Sequence, residues 1–396
     1  MEPKQDKYDV EKPLGDFLSL LQLKLDCETV YNLITALQRD GVTGMGVIPY
    51  ITLTTFAALE LLEAKADNKI SIPNTVRIKD VRLKLKMFED GYSKSKKMLL
   101  NIDYLQDQIF KNKLRFGFMK NWNIHFNLGV YADKDNHVVG NTQYNYYLLQ
   151  DNRFLKKSLA DVAEAYSASP DHFDLNKQVG KDSYDYAYAC GQIISSVRSG
   201  LREFDVPINI LSKSNTIKYY YADYNSNVVS TLFPTGEDGK AMILYLLHIL
   251  STINFLLYVL NGYEKDDYGW WLKINYTTYY YSMHKLQDLQ QHLIQNKLIT
   301  SEISNYFDEI GIENAKYLNS AFRNYTMHSR LIDKAGKIMI SLEKVDKTKP
   351  LFGLVETCFD DLSYQDLKLA IVSEMVRISD ILSRWLNINS LHFKPL

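Results

Sequence analysis

Hydrophobic and polar positions along this chain change period several times. From Leu14 to Leu25 the run is apolar-rich and reads as helix. Asp26 then looks like an N-cap for a helix from Glu28 to Arg39 that Gly41 would end. A further helix is expected from about Thr54 to Ala66. Between Arg77 and Phe88 the period shortens: Val81, Leu83, Leu85 and Met87 alternate with Arg82, Lys84 and Lys86. That alternation predicts a strand with one basic face, and a solvated face is a simpler reading than an RNA track. Residues 112–147 are rich in aromatics, Asn and Gly, and Ala132-Asp133-Lys134-Asp135-Asn136 reads as the turn of a hairpin. Helices are expected again from Phe154 to Tyr166 and from Ser183 to Phe204, with a strand pair at Pro207–Leu211 and Thr216–Tyr221.

The cluster Phe233-Pro234-Thr235-Gly236-Glu237-Asp238-Gly239 is the clearest boundary signal, because Pro and two Gly precede a long apolar run. It divides the chain into a mixed α/β region, 1–235, and an all-α region, 236–396. In the second region helices are expected at Met242–Val259, Tyr276–Asn296, Thr300–Ile310 and Tyr364–Leu386, with Leu367, Leu369, Ala370, Val372, Met375, Ile378 and Leu382 as apolar contacts of the last. Lys334–Leu354 reads as a long connection with a short hairpin at Ile338–Leu342. The fold class is therefore mainly α, with an α+β N-terminal part.

Ala241–Leu260 is as long and apolar as a membrane span. It nevertheless carries His248, Ser251, Thr252 and Asn254, and His248, Ser251 and Tyr258 fall near one helical face. Polar groups are costly in lipid, so the segment reads as the buried central helix of a bundle, and no membrane association is expected.

Composition narrows the function classes. The net charge is -1. Residues 236–396 hold 17 Lys/Arg against 19 Asp/Glu, and residues 1–235 hold 29 against 28. Neither region is a basic module, so any RNA contact must come from a local pocket or from two subunits meeting. The three cysteines, Cys27, Cys190 and Cys358, lack metal or disulfide spacing and suit a reducing cytoplasm. His125, His137, His172, His284 and His292 show no metal-ligand pairing, and no phosphate-cradling glycine loop is present. No cofactor is expected. The 29 tyrosines include Tyr219-Tyr220-Tyr221 and Tyr279-Tyr280-Tyr281, which suit packing more readily than base stacking. Asp266-Asp267 and Asp360-Asp361 read as cap or turn charges.

One run combines a permanent cation, an amide and a titratable imidazole: Arg323-Asn324-Tyr325-Thr326-Met327-His328, in a helix expected from Ile312 to Arg330 after the amphipathic stretch Ala315–Phe322. Asn324 and His328 are i,i+4 and share a helical face, whereas Arg323 lies about 140° from His328 around the axis. An arginine followed directly by asparagine, and by histidine five residues on, resembles the HEPN ribonuclease signature, with helix order matching over about residues 240–390. The resemblance implies a C-terminal HEPN-like helical bundle and a metal-independent endoribonuclease, in the setting of a toxin or an anti-phage abortive-infection effector. It implies Arg323, Asn324 and His328 as catalytic residues and a homodimer whose two motifs share a composite cleft. RNA is the implied partner, with an antitoxin or trigger protein beside it. The ribose 2′-OH would attack the adjacent phosphorus, His328 would shuttle a proton, and Arg323 would neutralise phosphoryl charge. Tyr325, Ser329 and Arg330 are candidate RNA contacts. The competing reading is a non-catalytic HEPN-like module that binds a nucleotide, a nucleic acid or a protein.

Overall fold

The computed structural model describes residues 8–63, 70–113, 128–207, 211, 216–224, 233, 236–265, 267–333, 335–359 and 362–396. The chain is mainly helical, with one small antiparallel sheet. In order it forms α1 (Tyr8–Ala36), α2 (Gly41–Gly46), α3 (Ile48–Glu63), α4 (Ile78–Glu89), α5 (Tyr92–Lys113), β1 (Leu128–Ala132), β2 (Val138–Asn141), α6 (Tyr144–Leu149), α7 (Leu159–Ala165), α8 (Leu175–Gly200) and β3 (Tyr220–Tyr224). There follow α9 (Gly236–Asn254), α10 (Trp270–Gln295), α11 (Ser301–Ile310), α12 (Ser320–His328), α13 (Leu354–Cys358), α14 (Tyr364–Trp385) and β4 (Lys394–Pro395).

The sheet runs β2-β1-β3-β4. Val130 of β1 pairs with Asn141 on one side and Ala222 on the other, and Tyr221 of β3 pairs with Lys394. The end of the chain thus closes a sheet whose other strands come from before residue 235. The expected hairpin turn between β1 and β2 is present, with Asp133 Oδ1 accepting from the backbone N–H of Asp135 and His137 at 2.9 Å each. Of the strand pair expected at Pro207–Leu211 and Thr216–Tyr221, residues 208–210 lie outside the described residues. The strand that Thr216–Tyr221 overlaps, β3, pairs with β1 and β4.

Two expectations fail for identifiable reasons. Arg77–Phe88 is not a strand but helix α4. Val81, Leu85 and Phe88 are buried at i, i+4 and i+7, and the first two of these also belong to the two-residue alternation. Asp26 caps nothing: α1 runs unbroken past it, and its carboxylate is buried inside the protein. Smaller departures occur elsewhere. Helix α3 begins earlier than expected, Phe154–Tyr166 splits into a 3-10 turn (Asn152–Leu155) and α7, and α8 begins at Leu175. The connection before α13 carries an isolated Ile332–Ile338 bridge and 3-10 turns in place of a hairpin at Ile338–Leu342.

The buried hydrophobic cluster is continuous across residue 235. Helix α9 lies against α5, β2 and α14, and α10 lies against α12, α14 and α5. Two segments, Gly41–Glu63 and Asp238–Tyr263, have the length and apolarity of a membrane span, yet 89% of the most apolar stretch of each is buried inside the protein. The polar positions of α9 face the interior as expected. His248, Ser251 and Asn254 are all buried, and the Ser379 hydroxyl of α14 donates to Asn254 Oδ1. Of the expected α14 contacts, Leu367, Met375, Ile378 and Leu382 are buried, whereas Leu369 is 59% exposed. The continuation of α9 through Phe255–Leu260 is π-helical, a local widening that keeps Phe255 and Leu256 in the core.

Candidate active site on a short helix

Helix α12 presents the Arg-Asn-Tyr-Thr-Met-His run as nine residues with both ends fixed. Asn319 caps its start: Oδ1 accepts from the Phe322 N–H at 2.9 Å, and Nδ2 donates to the Cys358 carbonyl at 2.8 Å. The Tyr276 hydroxyl of α10 takes the Asn319 N–H at 2.8 Å, which locks the same corner. The helix ends at Ser329, whose φ of 48° is left-handed and whose N–H closes on the Tyr325 carbonyl at 2.7 Å. Phe322, Tyr325 and Thr326 form the buried stripe. Phe322 meets the Tyr276 ring edge-to-face at 4.6 Å, and the Thr277 hydroxyl donates to Thr326 Oγ1 at 3.1 Å.

Behind this stripe lies a buried charged knot. Lys273 of α10, 4% exposed, donates both to the Asp26 carboxylate of α1, 1% exposed, and to the Ser329 hydroxyl. Gln22 Nε2 adds a 2.8 Å bond to Asp26. An ion pair this deep holds only if both partners and their remaining hydrogen bonds are in place. It ties α1, α10 and the end of α12 at one point.

Arg323 and His328 emerge on either side of the stripe and meet different neighbours. Arg323 turns toward α10. Its guanidinium carbon lies 5.5 Å from the Tyr280 ring centroid and 5.8 Å from that of Tyr281. It lines an open cleft of 400 Å³ shared with Glu89, Lys94, His284 and Asp288. Among the described residues no carboxylate forms an ion pair with it, and its Nε is shielded from solvent without a hydrogen-bond partner. His284 reaches solvent at its edge, yet enough of the ring is covered that burial, followed by the nearby Arg323 cation, holds its pKa below the usual imidazole range.

His328 turns toward α3. Its Nδ1 meets the Glu60 carboxylate, with the two side chains 30% and 39% exposed. Its ring packs 5.6 Å from the Phe56 centroid, and the Arg82 guanidinium of α4 lies 5.7 Å over that same phenyl ring. Nε2 makes no hydrogen bond among the described residues. A carboxylate on one imidazole nitrogen fixes ring orientation and tautomer and leaves the other nitrogen for proton transfer.

The remaining expected residues divide sharply. Asn324 and Arg330 are exposed. Tyr325 and Ser329 are wholly buried, so neither can touch RNA: Tyr325 packs beneath the helix, and Ser329 caps it and binds Lys273. Of the tyrosine triplet, Tyr279 is committed to packing, with its hydroxyl donating to the Lys316 carbonyl at 2.6 Å, whereas Tyr280 and Tyr281 wall the Arg323 cleft. Asp267 is neither cap nor turn charge alone; it pairs with Lys368 at 2.9 Å and accepts from the Tyr364 hydroxyl at 2.6 Å. Asp266, Asp360, Asp361 and His125 lie outside the described residues. Asp133, Asp135 and His137 cluster in the β1–β2 turn, but Asp133 is already engaged with the His137 ring at 2.9 Å and with the turn backbone.

Glu60 and His284 were not identified as site residues from the sequence. Glu60 follows an apolar helix without any motif. The spacing Tyr280 to His284, i to i+4 on one face, was the available signal for His284. No family model, curated protein or solved structure matches this chain.

Proposed function

We propose that this protein is a metal-independent endoribonuclease of the HEPN type, with Arg323 and His328 as its reacting side chains. The observation that carries the reading is the Glu60–His328 contact: one imidazole nitrogen is anchored by a carboxylate while the other is left open beside solvent. Arg323 supports it, as a cation that forms no ion pair with a carboxylate among the described residues, at an open cleft.

The chemistry uses the substrate as its own nucleophile. The ribose 2′-oxygen attacks phosphorus and loses its proton to the base, the phosphorus–5′-oxygen bond breaks, and the departing 5′-oxygen takes a proton from the acid. The products are a 2′,3′-cyclic phosphate and a 5′-hydroxyl. His328 Nε2 serves one proton transfer, Arg323 offsets the charge that grows on the phosphoryl oxygens, and exposed Asn324 contacts the backbone of the RNA. DNA is spared because it lacks the 2′-OH. Arg323 and His328 leave α12 toward different helices, so a homodimer that brings one protomer's arginine to its partner's histidine completes the site. Residues 1–235 then supply restraint, a trigger response or RNA choice, as in a toxin or an abortive-infection effector of the cytoplasm.

The separation of Arg323 from His328 by the buried stripe of α12 favours a second reading, a non-catalytic module that binds nucleotide, nucleic acid or protein. RNA incubated with purified protein in EDTA decides between them. Cutting that persists in EDTA and disappears in His328→Ala supports the nuclease; intact RNA under all conditions supports the binding module.

A further inference from the structure

The cleft beside Arg323 holds more chemistry than the motif supplies. It lies among the end of α4, the start of α5, the middle of α10 and α12, and its 400 Å³ falls in the range of small-molecule sites, about 300–1,000 Å³. Its walls are divided by type. Arg323 and exposed Lys94 bring positive charge. Tyr280 and His284 form an aromatic wall with ring centroids 4.4 Å apart. Glu89 and Asp288 bring carboxylates, the second held near the first turn of α5 by the Ser93 N–H at 3.4 Å.

Arg323 Nε and the Tyr281 hydroxyl, both screened from solvent, make no hydrogen bond of good geometry among the described residues, and the guanidinium interacts with the neighbouring Tyr280 and Tyr281 hydroxyls without an anion to share. A guanidinium can only donate, so a ligand that engages it must offer acceptors, and its planar fork matches the oxygens of a phosphate. A bare anion would meet the two carboxylates at unfavourable cost. A nucleotide carries both halves of the match: phosphate oxygens for the cations, and a flat base whose N–H groups donate to carboxylates.

We propose that this cleft binds one ribonucleotide unit, with its phosphate on Arg323 and Lys94 and its base against Tyr280 and His284, and that His284 is the imidazole sharing the phosphate with Arg323 inside a single protomer. As a subsite of the ribonuclease this rests on the function proposed above; as a binding site it stands by itself. Buried Lys285 closes the floor, with its ammonium directed to the Met87 carbonyl.

Calorimetric titration with ribonucleoside 3′-monophosphates, inorganic phosphate and unphosphorylated nucleosides tests it, alongside histidine side-chain NMR. One nucleotide per chain should bind, more tightly than either fragment. Lys94→Glu should weaken binding at least tenfold and His284→Gln several-fold. Both positions are exposed, so the fold survives the substitutions. Lys134→Glu, a charge reversal at a site 78% exposed in the β1–β2 turn, should leave binding unchanged. The His284 resonance faces Arg323, Lys94, Lys285, Glu89 and Asp288, and nucleotide should move its titration upward by adding negative charge next to Arg323. Absence of nucleotide binding, affinity indifferent to both Lys94→Glu and His284→Gln, or inorganic phosphate binding as tightly as nucleotide would each overturn the proposal. RNA cleavage with no such binding removes this subsite and leaves the ribonuclease; nucleotide binding without cleavage does the reverse.

Discussion

The Nδ1 of His328 is held by the carboxylate of Glu60, a residue 268 positions earlier in the chain. The contact joins the helix that carries the motif to α3 of the N-terminal region, so the imidazole's orientation depends on packing between the two. Truncating Glu60 to Ala should free the ring and lower RNA cleavage about tenfold, the rate equivalent of ~1.4 kcal/mol. Glu60→Gln, which still accepts from Nδ1–H, should recover part of that loss. His328→Ala should cost about 10²–10⁴-fold. Single-turnover cleavage rates of the three variants check the order; equal rates for Glu60→Ala and the natural protein would remove Glu60 from any positioning role.

The Asp26–Lys273 pair should dominate the stability of the region around α12. Asp26→Ala leaves a buried ammonium unpaired and should cost about 3–5 kcal/mol. Lys273→Met should cost a similar amount, and the double variant clearly less than the two together. Urea denaturation of the four proteins gives the cycle; strictly additive losses would contradict a direct pair.

Two neighbouring glycines should respond oppositely. A Cβ at Gly46 would sit 2.2 Å from the Phe255 ring, so Gly46→Ala should destabilise by about 1–3 kcal/mol. At Gly44 nothing lies within 4 Å, and the residue is helical, so Gly44→Ala should be neutral or stabilising by up to about 1 kcal/mol. Thermal melts of the pair check the direct approach of α2 to the π-helical segment.

Burial sets the pH response. His248 is stacked on Tyr147 at 4.5 Å and makes no ring hydrogen bond among the described residues, and burial, then the Lys285 charge, push its pKa down to about 3. Lys285, buried as well, is pushed down to about 7. Both are bases with lowered folded pKa values, so the unfolded chain binds the extra proton. Stability should therefore fall as pH drops from about 6.5 toward 3 through His248, and rise as pH climbs from about 7 toward 10 through Lys285. Lys285→Met should flatten the alkaline slope and His248→Gln the acid one, both read from denaturation midpoints across pH.

Much of the helical order was legible because long amphipathic stretches announce themselves. The helix expected at Thr300–Ile310, the hairpin at Ala132–Asn136 and the buried polar stripe of α9 all follow from local pattern. The failures share one cause: a decisive partner far away in sequence. Asp26 has the residue type of a cap, and only Lys273, 247 positions on, makes it an interior charge. Val81 to Met87 fits two periods equally, and the packing of α4 on α3 selects the helical one. The candidate site divides the same way. Arg323 and His328 are visible as a motif, whereas Glu60 beside one and His284 beside the other are brought there only by the fold.

The nature of the RNA ends tests the central claim most directly. Purified protein in excess EDTA should cut RNA to fragments ending in 2′,3′-cyclic phosphate and 5′-hydroxyl, with a substrate carrying a single 2′-deoxyribose at the scissile position left whole, and with Arg323→Ala and His328→Ala inactive. Cleavage that requires a metal, leaves 3′-hydroxyl ends, or survives both substitutions would contradict it.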